Sequence, residues 1–227
     1  MSVGLILMGI IAALVLLGVL QRVLDRMGLN DRLALLFAAA VIGCSFIPNI
    51  PIGAVRINVG GALIPLALCV YLLIRADTKK EFWRALIGSI LTGAAVWGLG
   101  IVLPNEPERI TLDPNYIWGL AGGVIAYILG RSRRAAFICG VVGVLLADAA
   151  VGVSNWAGGV QQTVTLGGAG AMDAVVISGI IAVLLAELVG EIIERMARNK
   201  PPEYSEVETP ARHEAARVKA KNGGGER

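Results

Sequence analysis

Two aspartates lie inside apolar stretches of this chain. Asp148 sits in Leu145-Leu146-Ala147-Asp148-Ala149-Ala150, and Asp173 in Gly170-Ala171-Met172-Asp173-Ala174. A carboxylate in such surroundings is costly to keep, which makes the pair the first place to look for function. At about 1.5 Å per helical residue, Asp148 stands roughly 21 Å above Arg134 and Asp173 roughly 9 Å below Gly167. Across ~30 Å of hydrocarbon both fall at the same level, on consecutive antiparallel helices. Three chemistries are open to them. Asp173 could cap a helix after a Gly-rich turn, with Asp148 bonded to a neighbouring Ser, Asn or backbone group. The pair could instead bind a proton or cation in a small-solute carrier, because close carboxylates share a proton; Asn58 would then be a neutral ligand. Or one carboxylate could act as base and the other as acid on a water.

Other chemistries lack the residues they need. The single histidine, His213, lies in the polar tail, so the apolar part offers no Ser-His or Cys-His pair and no histidine metal site. Cys44, Cys69 and Cys139 fall in separate apolar runs without CxxC spacing, which argues for small buried side chains and against a disulfide framework or metal centre. The Gly-rich patch 167–170 lacks the Lys-Ser/Thr that follows in a phosphate loop. No cofactor is expected.

The elements that position the aspartates follow from composition. The 227 residues are 56% hydrophobic and 16% charged, against about 25% charged in a soluble domain. A polytopic all-α membrane bundle is the fold class implied, with the lipid bilayer as its partner. A helix crosses the hydrocarbon in about 20 residues. About seven runs approach that length: 3–20, 33–47, 59–74, 85–103, 116–129, 135–153 and 172–193. The expected division is a bundle over 1–196 and a disordered tail over 197–227.

Orientation follows from Lys and Arg. Eighteen of them fall in alternate connections and the tail, including Arg131, Arg133 and Arg134, while Arg56 and Arg109 alone fall on the other side. Positive connections stay in the cytoplasm. The N-terminus is therefore expected outside the inner membrane and the C-terminus inside. The cations serve this role, not nucleic acid. With no Lys or Arg before Arg22, the first run reads as a retained span and not a cleavable signal. Trp83 is expected at the inner interface, and Tyr116, Trp118 and Trp156 at the outer one.

Small residues spaced for close helix approach recur as Ser89/Gly93, Gly119/Gly123 and Gly140/Gly143. Pro65 is expected to kink its span. Glu187 lies about a turn deeper than the end of the last helix and could pair with an Arg of the basic turns. Ile57-Asn58-Val59-Gly60-Gly61-Ala62 resembles Val164-Thr165-Leu166-Gly167-Gly168-Ala169, consistent with a 3+1+3 parallel repeat. That plan resembles SWEET-type sugar carriers as architecture, without their motifs. Residues 54–59 and 160–166 alternate like strands and could pair as a small ribbon capping the bundle.

Several phrases, among them Pro104-Asn105-Glu106-Pro107, Leu112-Asp113-Pro114-Asn115-Tyr116 and Leu166-Gly167-Gly168-Ala169-Gly170-Ala171-Met172-Asp173, resemble a domain-of-unknown-function family of bacterial and archaeal polytopic membrane proteins. The resemblance runs through Glu191 and implies integral-membrane status without assigning a reaction. The aspartate pair is also a little similar to intramembrane aspartyl proteases. Their Gly-x-Gly-Asp is interrupted here, because Ala171-Met172 separate Gly170 from Asp173, and their downstream Pro-Ala-Leu is missing. A structural or assembly protein, with both aspartates serving helix ends, is the alternative to a carrier.

Overall fold

The computed structural model describes residues 27, 29–102 and 114–198. The apolar run 3–20, the connection carrying Arg109 and the tail beyond 198 lie outside the described residues. The expectations of a retained first span, an external N-terminus and a disordered tail fall there too.

Helix α1, Asp31–Ser45, starts where the Asn30 side chain accepts the Leu33 N–H at 2.8 Å. Pro48 bars a longer helix, and the chain turns into a hairpin of β1, Ile50–Ile52, and β2, Val55–Ile57. Gly53, with φ +61°, makes that tight connection, a conformation glycine adopts without the steric cost of a Cβ. Next comes a π-helical turn, Val59–Leu63, capped by Asn58, and then α2, Ile64–Ile74. Pro65 stands in the first turn of α2, a position where proline is well tolerated. It starts this helix instead of kinking one, and the irregularity lies in the π turn before it.

Helices α3, Lys79–Val102, α4, Pro114–Gly130, and α5, Arg133–Ala157, follow. The chain then forms β3, Val164–Leu166, a 3-10 turn at Gly170–Met172, and α6, Ala174–Arg198. Strand β3 pairs in parallel with β2, Val55 opposite Val164 and Ile57 opposite Leu166. The two alternating stretches thus do pair, in a three-stranded sheet of order β1-β2-β3.

The apolar runs suggest about seven spans, and the helix lengths correct that number. Among the described residues three helices are long and apolar enough to cross a membrane: Lys79–Val102, Arg133–Ala157 and Ala174–Met196, with mean hydropathy 1.9, 2.3 and 2.3. The other runs are helical but short, at 15 residues in α1, 11 in α2 and 17 in α4. Even a helix of α4's length reaches only about 25 Å, less than the ~30 Å of hydrocarbon. Hydropathy marks a run as apolar without showing how far its helix extends. The 3+1+3 repeat is likewise absent among the described residues. Residues 57–62 pass from β2 into a π turn, whereas 164–169 leave β3 through Gly167 at φ +67° towards a 3-10 turn. Similar residues have taken different backbones, so the two stretches are not equivalent.

Glycine sets the helix spacing. A Cβ on Gly93 of α3 would stand 2.9 Å from the Gly143 carbonyl oxygen of α5, and one on Gly140 would stand 2.8 Å from Ser178 Oγ of α6. On α4, Gly119 and Gly123 meet Ile177 and Ile181 at 2.6 and 2.7 Å. Ser89 donates to the carbonyls of Ala85 and Ile138 at 2.7 and 3.3 Å, joining α3 to α5. All three small-residue pairs therefore lie at close approaches. Phe37 meets Phe137 edge to face, with 6.2 Å between ring centroids. Large apolar side chains such as Ile87, Ile90 and Leu188 face outward, as lipid contact requires.

The chain divides into two compact units, Met1–Val189 and Gly190–Arg227. In the second, the described residues are helical and carry an ion pair between Arg195 and Glu191 at 2.7 Å. Both aspartates belong to the first.

Candidate functional site

Helix α5 carries Asp148, and its register is set at its start. Ser132 Oγ accepts the Ala135 N–H at 3.1 Å as the N-cap and donates to Glu81 at 2.7 Å. Beside it Arg133 pairs with Glu187 of α6, the partnership expected for that glutamate. Arg134 donates to the Met27 carbonyl at 2.7 Å, and to the Arg75 carbonyl and the Asp77 carboxylate at 2.8 Å each. The basic turn is thus a braced pole where α3 and α5 begin.

The opposite pole holds the aspartates. Asp173 is 6% exposed, and both its oxygens are occupied by backbone: Oδ1 accepts the Val175 N–H at 3.0 Å and Oδ2 the Ala169 N–H at 3.1 Å. The first turn of a helix leaves N–H groups without intrahelical partners, and a carboxylate at the cap satisfies them. Positive φ at Gly167 and Gly170 folds the loop back so that Ala169 can reach the same side chain.

Asp148 is treated differently. It is partly buried, and among the described residues no group donates a hydrogen bond to it. It lines a cavity of about 560 Å³ together with Asp173. Val96, Trp97, Gly100 and Ile101 of α3 form one wall and Asn115 and Trp118 of α4 a second. Val144, Ala147, Val151, Ser154 and Asn155 of α5, with Thr165, Gly168 and Ala169 after it and Ala174 of α6, complete the lining. Among the described residues no Lys, Arg or His lines it.

Asn58 stands elsewhere. It is 3% exposed, its Oδ1 accepts the Gly61 N–H at 2.8 Å, and its Nδ2 donates to Asn49 Oδ1 at 2.7 Å. The structure brings Asp148 and Asp173 to one cavity and leaves Asn58 out of it, engaged as the cap of the π turn.

That turn belongs to a knot of close backbone contacts. A Cβ on Gly61 would lie 2.2 Å from the Gly167 carbonyl oxygen, and one on Gly60 would lie 2.5 Å from the Ser45 nitrogen. Ser45 Oγ accepts the Ala171 N–H at 2.8 Å. The knot fixes the loop that presents Asp173.

Sequence reasoning missed Trp97 altogether and gave Trp118 only an interfacial role. Trp97 and Ile101 stand at i and i+4 on one face of α3, a spacing that is the same for a face turned to lipid. Trp156, by contrast, donates its indole N–H to the Gln162 carbonyl at 2.9 Å and does not line the cavity.

Among the described residues no three His, Cys, Asp or Glu side chains gather to hold a metal ion. The approach to Asp173 is a 3-10 turn, not the Gly-x-Gly-Asp of an aspartyl protease. No curated protein and no solved structure matches the chain. Residues 26–185, more than two thirds of its length, match the family described as "Protein of unknown function (DUF1614)". With its long apolar helices and this match, the chain is a multi-pass membrane protein that belongs to the DUF1614 family.

Proposed function

We propose that the protein binds a proton or cation, coupled to a small solute, in the cavity between α3, α4, α5 and the loop after β3, and carries it across the cell membrane. Asp148 is the exchanging ligand and Asp173 its fixed neighbour. The observation that carries this reading is the difference between the two acids. Asp173 is held by two backbone N–H groups, whereas Asp148 opens into the cavity with no donor of its own among the described residues. An ionisable group in an apolar span is costly and is retained where it marks a pathway. The basic pole around Arg131, Arg133 and Arg134 faces the cytoplasm, so the cavity belongs to the outer half and α6 ends inside.

Proton uptake into proteoliposomes holding the full chain tests this. Asp148→Asn should fold normally and lose at least about tenfold of its flux, the effect of removing an interaction of about 1.4 kcal/mol. Full flux in the Asp148→Asn protein overturns the reading. A structural or assembly role is favoured by one observation, the capping of α6 by Asp173. It predicts no flux in the unsubstituted protein.

A further inference from the structure

The cavity has more character than an acidic pair. Its charge is uncompensated among the described residues: two carboxylates line it and no cationic side chain does. At about 560 Å³ it is far larger than an inorganic ion and lies within the ~300–1,000 Å³ of small-molecule sites. A hard divalent cation collects six or more oxygen ligands, whereas Asp173 already spends both oxygens on backbone N–H groups. Two indoles, Trp97 from α3 and Trp118 from α4, line the cavity, along with the apolar Val96, Val144 and Val151. Aromatic walls attract a cation whose charge is spread over methyl groups, and such an ion needs no directional donors.

We propose that the ligand is a small alkylated ammonium ion, seated between the Asp148 carboxylate and the indoles of Trp97 and Trp118. The inference rests on the cation-binding reading above and names the class of cation. Asp148 supplies the counter-charge, the indoles supply selectivity for an organic over an inorganic cation, and Asp173 holds the loop that closes one side.

Choline, its neutral isostere 3,3-dimethylbutan-1-ol and sodium are the probes, titrated against the full chain in lipid nanodiscs by calorimetry. Choline should bind at least about tenfold more tightly than the alcohol. Trp97→Leu and Trp118→Leu should each weaken choline about 2- to 30-fold. Equal affinity for choline and the alcohol overturns the proposal, as does choline binding that is indifferent to both indoles. Sodium or proton binding that depends on Asp148, without choline binding, overturns the organic-cation assignment and leaves the carrier reading standing. Absence of all three overturns both. Should a Trp variant fail to fold, the choline–alcohol comparison on the unsubstituted chain still decides.

Discussion

Asp148 and Asp173 have the same side chain and share one cavity, yet their surroundings predict opposite consequences for stability. Replacing Asp173 by Ala removes two backbone hydrogen bonds at the start of α6. Loss of a helix cap costs about 0.5–2 kcal/mol, so Asp173→Ala should lower the unfolding free energy in detergent by about that much. Asp148→Asn breaks no protein hydrogen bond among the described residues and should stay within about 0.5 kcal/mol of the unsubstituted protein. Matched denaturation curves for the two variants test the contrast. These acids were legible in the sequence because charge inside an apolar run is conspicuous. Which of them would be engaged was not, because Ala169 reaches Asp173 only through two positive-φ glycines whose conformation no composition reveals. Trp97 escaped notice because an indole in an apolar helix looks the same whether it faces lipid or a cavity.

Among the elements, the π turn and the 3-10 turn do what longer helices cannot. They bring Gly61 and Gly167 into backbone contact and so anchor the loop before α6. A methyl group at Gly61 collides with a carbonyl on a backbone that cannot easily retreat, and overpacking of this kind costs about 1–3 kcal/mol. Gly61→Ala should therefore destabilise by at least that amount. Gly43, inside α1 with nothing within 4 Å of a built Cβ, supplies the control. Gly43→Ala should be neutral or stabilise by up to about 1 kcal/mol through helix propensity. Thermal midpoints of the two variants, measured side by side, check the difference. Alternation correctly indicated β2 and β3, and the small-residue pairs correctly indicated the helix contacts. The short helices read as spans because hydropathy reports that a run is apolar, whereas Asn30 and Asn58 fix where α1 and the turn before α2 begin through side-chain caps, which are decided by geometry.

The unit 1–189 is closed at one end by ion pairs, Arg133 with Glu187 and Arg134 with Asp77, and carries Asp148 and Asp173 at the other. Arg133 and Glu187 have side chains only 18% and 19% exposed, so removing one partner strands a charge that solvent reaches poorly. Glu187→Gln should cost more than the double change Arg133→Gln with Glu187→Gln, and a double-mutant cycle on unfolding free energies measures that coupling. The parallel pairing of β2 with β3 has a further result for how the protein is made. Val55 and Val164 are far apart along the chain, and contacts of such separation form slowly because a long loop must close first. During synthesis the hairpin waits for its third strand until most of the chain has left the ribosome. The cavity is consequently unfinished until then, since a nascent chain stopped before Val164 carries α3, α4 and α5 without the loop and the start of α6 that line its remaining side.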